Sequence, residues 1–121
     1  MAEPIKDVVI KIKYNEKSCK LEFKDSQGHG WAEEICTMVK PADKVKFKLK
    51  RDDSGLSSVD KITGLSDILD GPLVPKNDGK VLVGKIKADA KPCVCKYDTY
   101  CTRVNGEPIY QDPEMQVEIS K

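Results

Sequence analysis

The chain has 121 residues, 39% hydrophobic, 34% charged and 6% aromatic, and its 21 basic and 20 acidic side chains leave a net charge of +1. That length suffices for one domain whose core needs neither disulfides nor metal. A balance so close to neutral excludes a global field drawing the protein to nucleic acid or an anionic membrane.

The opening residues, Met1-Ala2-Glu3-Pro4-Ile5-Lys6-Asp7, contain no apolar h-region and no small-residue cleavage site, and no apolar run reaches the length of a membrane span. The expectation is a soluble cytoplasmic protein in which residues 1–121 form a single β-sandwich domain. Five cysteines, an odd number, exclude a complete set of internal disulfides.

From Asp7 to Tyr14, Val8, Ile10, Ile12 and Tyr14 alternate with Val9, Lys11 and Lys13, the two-residue period of a half-buried strand. Asn15 to Ser18 reads as a turn. A second strand follows, with Cys19, Leu21 and Phe23 on one side and Lys20, Glu22 and Lys24 on the other. Asp25 to Gly30 is a loop. Trp31 to Val39 suits a short helix or an irregular strand, and the strand is preferred. After a turn at Lys40-Pro41-Ala42-Asp43, Val45, Phe47 and Leu49 face inward while Lys44, Lys46, Lys48 and Lys50 face outward, a lysine edge that also discourages strand-to-strand aggregation.

Between Asp52 and Gly79 the alternation dissolves into Asp, Ser, Gly and Pro. The spacing of Leu65, Ile68 and Leu69 allows at most one short helix near 65–70, and Val59 to Ile62 suits a short strand. A connection of this length in a compact domain is commonly functional or mobile. Gly79 to Lys87 resumes as a strand whose Gly84 marks a bulge or a close approach.

Pro92 to Val104 and Glu107 to Ile119 are extended runs cut by Asn105-Gly106, a pair that tolerates positive φ and predicts a tight hairpin. Cys93, Cys95, Tyr97, Thr99 and Cys101 fall on one face of the first run, and Met115, Val117 and Ile119 on one face of the second. The pair is expected at the centre of the fold. The predicted class is an all-β Greek-key β-sandwich of seven to eight strands, with an open barrel as its neighbour.

Two segments carry a resemblance. Pro41-Ala42-Asp43-Lys44-Val45-Lys46-Phe47 is similar to the turn-into-strand step of cupredoxin-type sandwiches. The Tyr-bearing strand, Asn105-Gly106, then Asp112-Pro113-Glu114 leading into Met115-Gln116-Val117, resembles the small bacterial proteins of the DP-EP family. Together they span residues 41–51 and 92–119. The resemblance implies a cupredoxin-like or immunoglobulin-like Greek-key sandwich and transfers no activity and no functional residue. A blue-copper centre needs two imidazoles, a thiolate and a weak axial ligand. Cys101 and Met115 mimic the last two, but His29 is the sole histidine and lies in a distant loop.

Cys93, Cys95 and Cys101, joined by Cys36 or Cys19, are the candidate soft ligands for zinc or Cu(I). A Cys-x-Cys on an extended strand spaces its side chains about 7 Å apart, which disfavours a bridge between Cys93 and Cys95 and lacks the knuckle of Cys-x2-Cys. A pair such as Cys36 with Cys101 stays open. Cysteine also packs as a small apolar residue, and that reading leads, so no cofactor is expected.

His29 and Trp31, within Gly28-His29-Gly30-Trp31, form a candidate interaction loop. The acidic residues Asp52, Asp53, Asp67, Asp70 and Asp78 do not match a calcium loop, and turn chemistry explains them. No nucleophile motif, dinucleotide fingerprint or phosphate loop is present. The outward lysines lack the interleaved aromatics on which single strands stack, so nucleic acid is not expected. What remains is a non-enzymatic sandwich acting through a protein partner or as a homo-oligomer, with metal binding as the alternative.

Overall fold

The computed structural model describes residues 7–26, 28, 30–50, 54–111 and, for the backbone, 114–117. Eleven strands follow one another: β1 (Asp7–Asn15), β2 (Lys20–Asp25), β3 (Cys36–Val39), β4 (Lys44–Leu49), β5 (Leu56–Thr63), β6 (Val74–Lys76), β7 (Val81–Lys85), β8 (Cys93–Lys96), β9 (Asp98–Arg103), β10 (Pro108–Gln111) and β11 (Glu114–Val117). The protein is all-β. They form a five-stranded sheet in the order β2-β1-β4-β7-β6 and two three-stranded sheets, β10-β9-β5 and β3-β11-β8. Pairing is antiparallel except for β1 with β4 and β3 with β11.

Alternation dictates which side of each strand is buried. Val8, Ile10 and Ile12 of β1, Leu21 and Phe23 of β2, and Val45, Phe47 and Leu49 of β4 are buried, as the two-residue period requires. They share one hydrophobic cluster with Leu56 and Val59 of β5, Val39 of β3, Tyr97, and Cys101 of β9. The ring of Phe47 meets that of Tyr97 edge-on at 5.5 Å.

The structure corrects several expectations. Among the described residues eleven strands stand where periodicity reads seven or eight, chiefly because the long run after Pro92 divides. Cys93 to Lys96 joins one sheet and Asp98 to Arg103 another, with Tyr97 between them buried in the core. Gly64 lies against this break: it has φ +98°, and a Cβ there would stand 2.5 Å from the Lys96 carbonyl oxygen. The expected hairpin forms as β9–β10, but the central places of the two smaller sheets go to β9 and β11, while β8 and β10 are edges. At its tip Gly106 N–H donates to Arg103 C=O at 2.8 Å and Arg103 N–H to Glu107 C=O at 2.8 Å. Gly106 has φ +90°, whereas Asn105 is not among the positive-φ residues. The loop is therefore a turn closed by a glycine bulge, not a two-residue turn.

Cys19 leaves the predicted inward row because it sits in the turn at φ +60°, exposed, where the Asn15 side chain caps the backbone of Lys17 at 2.9 Å. The strand read over 31–39 shrinks to β3, with Ala32 making a single bridge to Phe23. The strand expected at 59–62 extends to Leu56–Thr63. Leu65 to Leu69 closes one turn, in which Ile68 N–H and Leu69 N–H both donate to Leu65 C=O at 3.0 Å, and no helix forms there. Gly84 is a close approach, as one of the two readings had it. The β4–β7 register runs through it unbroken, and Leu73 Cδ2 occupies the space of its missing Cβ at 2.5 Å. The shared face of Met115, Val117 and Ile119 concerns side chains outside the described residues.

Candidate binding surface

The cysteines weighed as metal ligands do not gather into one group. Cys101 is buried in β9, and desolvation followed by the field of Asp60 pushes its thiol up to about 12. Cys36 in β3 shares its register level with Glu114 and Lys96, whereas Cys95 shares its level with Met115 and Thr37, so Cys36 and Cys95 lie on opposite faces of their sheet. Cys93 and Cys95 remain as a pair, with sulfurs 3.8 Å apart. Among the described residues no three His, Cys, Asp or Glu side chains converge. The reason is the break at Tyr97: a run that reads as one strand delivers Cys93 and Cys95 to one sheet and Cys101 to another.

His29 lies outside the described residues. Trp31 is half-buried, with Lys13 Nζ 4.7 Å above its ring. That contact turns the indole toward the outer face of the five-stranded sheet, where Lys13 also reaches Glu22 at 3.5 Å.

The lysines of β4 do alternate outward, and strand pairing extends them. Register places Lys24, Lys11 and Lys48 side by side on β2, β1 and β4, and the same row continues through Val81 to Lys76. On the neighbouring rows Asp7 pairs with Lys46 at 3.2 Å and Glu22 with Lys13. The outward alternation of Lys11 and of Lys44 to Lys50 allows a shared basic face, and the parallel pairing of β1 with β4 creates this row.

The β10-β9-β5 sheet carries an aromatic row. The β5–β9–β10 register sets Lys61, Tyr100 and Tyr110 abreast. The tyrosine rings stack at 5.7 Å between centroids, and Lys61 Nζ lies 4.6 Å from the Tyr100 ring. Tyr110 is 66% exposed although it lies on an edge strand. Beside this row Asp60 accepts hydrogen bonds from Ser58 and Thr102, each at 2.6 Å. These two bonds tie the carboxylate down within its own sheet.

Lys61 also borders a cleft of about 600 Å³ between β5, the 64–73 loop and β7. Its walls are mainly apolar, with Ile62, Leu69, Leu73 and Leu82 inside and Asp60 and Lys87 at the rim. The long connection flagged in the sequence thus supplies a wall of this cleft. Sequence reasoning missed Tyr100 and Tyr110 as partners. Alternation already points Tyr100 away from Thr99 and Cys101, but only the hairpin register brings Tyr110 beside it.

No protein-family model matches the chain, and no curated protein does. Among solved structures it is similar to an inclusion body protein, PixA, from Burkholderia cenocepacia J2315, at 12% identity over 98% of each chain with a TM-score of 0.46. A likeness at that level carries no functional argument, so the surface is read on its own chemistry. Among the described residues no helix is long and apolar enough to cross a membrane.

Large, rigid, amphipathic side chains concentrate binding energy at protein interfaces, tyrosine foremost among them. Here two are pre-stacked by backbone pairing, so little side-chain freedom is lost on contact. The adjoining cleft offers apolar depth, and Lys61 and Asp60 supply a polar rim.

Proposed function

We propose that this protein is a non-enzymatic binding module that works by protein–protein contact, a second copy of the chain being the partner, and that its strands follow the Greek-key sandwich plan. The single observation that carries the reading is the Tyr100–Tyr110 stack, in which half-buried Tyr100 of β9 supports exposed Tyr110 on the β10 edge. A net charge of +1 supports association between identical copies, because like molecules near neutrality repel weakly. Asp25 and Asp43, the carboxylates buried among the described residues, support binding over catalysis, since both are spent on structure. Thr37 donates to Asp25 at 2.9 Å, and Lys40 N–H donates to Asp43 at 2.9 Å. The sandwich plan is supported by one core shared among the three sheets and by the crossover that sets β4 beside β1.

The test is light scattering coupled to size-exclusion chromatography over a concentration series. The expected result is a mass that rises from monomer toward dimer into the high micromolar range. Tyr110→Ser is expected to hold the protein at monomer mass with its circular dichroism unchanged. A strict monomer at every concentration, or a rise that Tyr110→Ser leaves intact, overturns the reading.

A further inference from the structure

We propose that the outer face of the five-stranded sheet docks on the surface of an anionic lipid bilayer. Its lysines are Lys24 of β2, Lys11 of β1, Lys44 and Lys48 of β4, Lys85 of β7 and Lys76 of β6. Pairing sets Lys24, Lys11 and Lys48 abreast with Lys76 at the end of the same row, and Lys44 beside Lys85 on another. Lys48 is half-buried, the others are exposed, and none of them makes an ion pair among the described residues. The acids nearby are outnumbered. Asp7 is held by Lys46 and Glu22 by Lys13, and Asp70 borders the corner shared by Lys44, Lys76 and Lys85.

The net charge of +1 averages over the whole chain, whereas a surface lying against the face meets the face alone. Neighbouring strands are about 4.8 Å apart, inside the screening length of about 8 Å at physiological salt, so the lysine charges add. Sheets packed across a core lie about 10 Å apart, which puts acids on the far layers beyond that length.

What lies among the charges selects the partner. Val9, Val81 and Val83 are half-buried there, and Val74 on the edge strand is 51% exposed. Trp31, the sole tryptophan, borders the face beneath Lys13 Nζ. Lysine stems with small apolar neighbours and an indole suit the headgroup region of a bilayer, where ammonium groups meet lipid phosphates and carboxylates. A nucleic-acid duplex is gripped by an element that enters a groove, and among the described residues this face is a plain sheet surface without arginine. A bilayer spreads its charge over a plane, so lysines on several strands engage together. The contact is separate from the tyrosine row, which lies in another sheet.

The probe is phosphatidylcholine vesicles with phosphatidylserine as about a third of the lipid, read by co-sedimentation and by Trp31 fluorescence. Saturable binding with a blue-shifted emission is expected at low ionic strength, with no binding to pure phosphatidylcholine and release in 1 M salt, where the screening length is about 3 Å. Lys11→Gln with Lys48→Gln is expected to weaken partitioning about 25-fold, at about fivefold per lysine. Lys87→Gln with Lys96→Gln removes the same charge from the cleft rim and from β8, and is expected to change partitioning less than about twofold. Equal weakening by the two pairs, no binding at all, binding that persists in 1 M salt, or a duplex oligonucleotide bound more tightly than the vesicles overturns the proposal. Tyr110→Ser is expected to bind vesicles still, so that the bilayer contact and self-association fail separately.

Discussion

The ring of Tyr97 stands edge-on against Phe47, centroids 5.5 Å apart and planes at 68°, joining the middle of the five-stranded sheet to the point where the chain passes between the two smaller sheets. Both side chains are fully buried. Truncating a buried aromatic costs about 3–5 kcal/mol, so Phe47→Ala is expected to destabilise the protein by that amount. Tyr97→Phe is expected to act in the opposite direction. The Tyr97 hydroxyl is buried with no hydrogen-bond partner among the described residues, and an orphaned buried polar group costs about 1–3 kcal/mol. Urea titration of the three proteins tests the pair, and a Tyr97→Phe protein less stable than the parent sinks the second expectation.

Alkaline pH is expected to destabilise the fold through Cys101. Burial pushes its thiol up from the ordinary 9.0 to about 12, so the folded state keeps a proton that the unfolded chain releases. Stability from this group is whole below pH 9 and is lost as pH rises toward 12. The slope reaches about 1.4 kcal/mol per pH unit. Tyr97, raised in the same direction by burial, steepens the loss above pH 10. Denaturant midpoints from pH 7 to 11 check the sign, and Cys101→Ala should flatten the slope even as it lowers overall stability.

Two glycines at positive φ are expected to answer differently to alanine. A Cβ on Gly106 meets nothing within 4 Å, so Gly106→Ala should cost only the left-handed penalty of about 1–2 kcal/mol. On Gly64 the same atom lands on the Lys96 carbonyl, and backbone must move. Gly64→Ala is therefore expected to cost at least about 2 kcal/mol more than Gly106→Ala. Equal losses in thermal unfolding would show that Lys96 and Tyr97 give way freely.

The lysine row offers a stabilising substitution. Lys11 stands between Lys24 and Lys48, and like charges directly opposite one another across strands destabilise a sheet. Lys11→Glu should raise stability by about 0.5–1 kcal/mol at low ionic strength and lose most of that gain in 1 M salt, where the screening length falls to about 3 Å. A gain that persists in high salt would point to a cause other than charge.

Much of the inner face was legible in the residues themselves. The alternation of Val8, Ile10 and Ile12, of Leu21 and Phe23, and of Val45, Phe47 and Leu49 foretold which side chains are buried, because a strand has one period and a water-covered layer tolerates apolar residues on one side only. The close approach at Gly84 and the turn after Arg103 were legible for the same kind of reason, being local demands on backbone conformation. The division of residues 93–103 was not. Cys93, Cys95, Tyr97, Thr99 and Cys101 form an unbroken two-residue pattern, and a pattern states which side a residue takes without stating which sheet receives it.

Tertiary structure alone decided the neighbours. Whether Lys11 meets Lys48, whether Tyr110 meets Tyr100, and whether Cys101 keeps company with Cys93 depend on strand pairing between segments far apart in the chain. Periodicity is a property of one strand and register a property of two. The sequence by itself determined an all-β chain with a defined buried face, while the partners of its lysines, tyrosines and thiols were set only when non-local hydrogen bonding fixed which strand lies beside which.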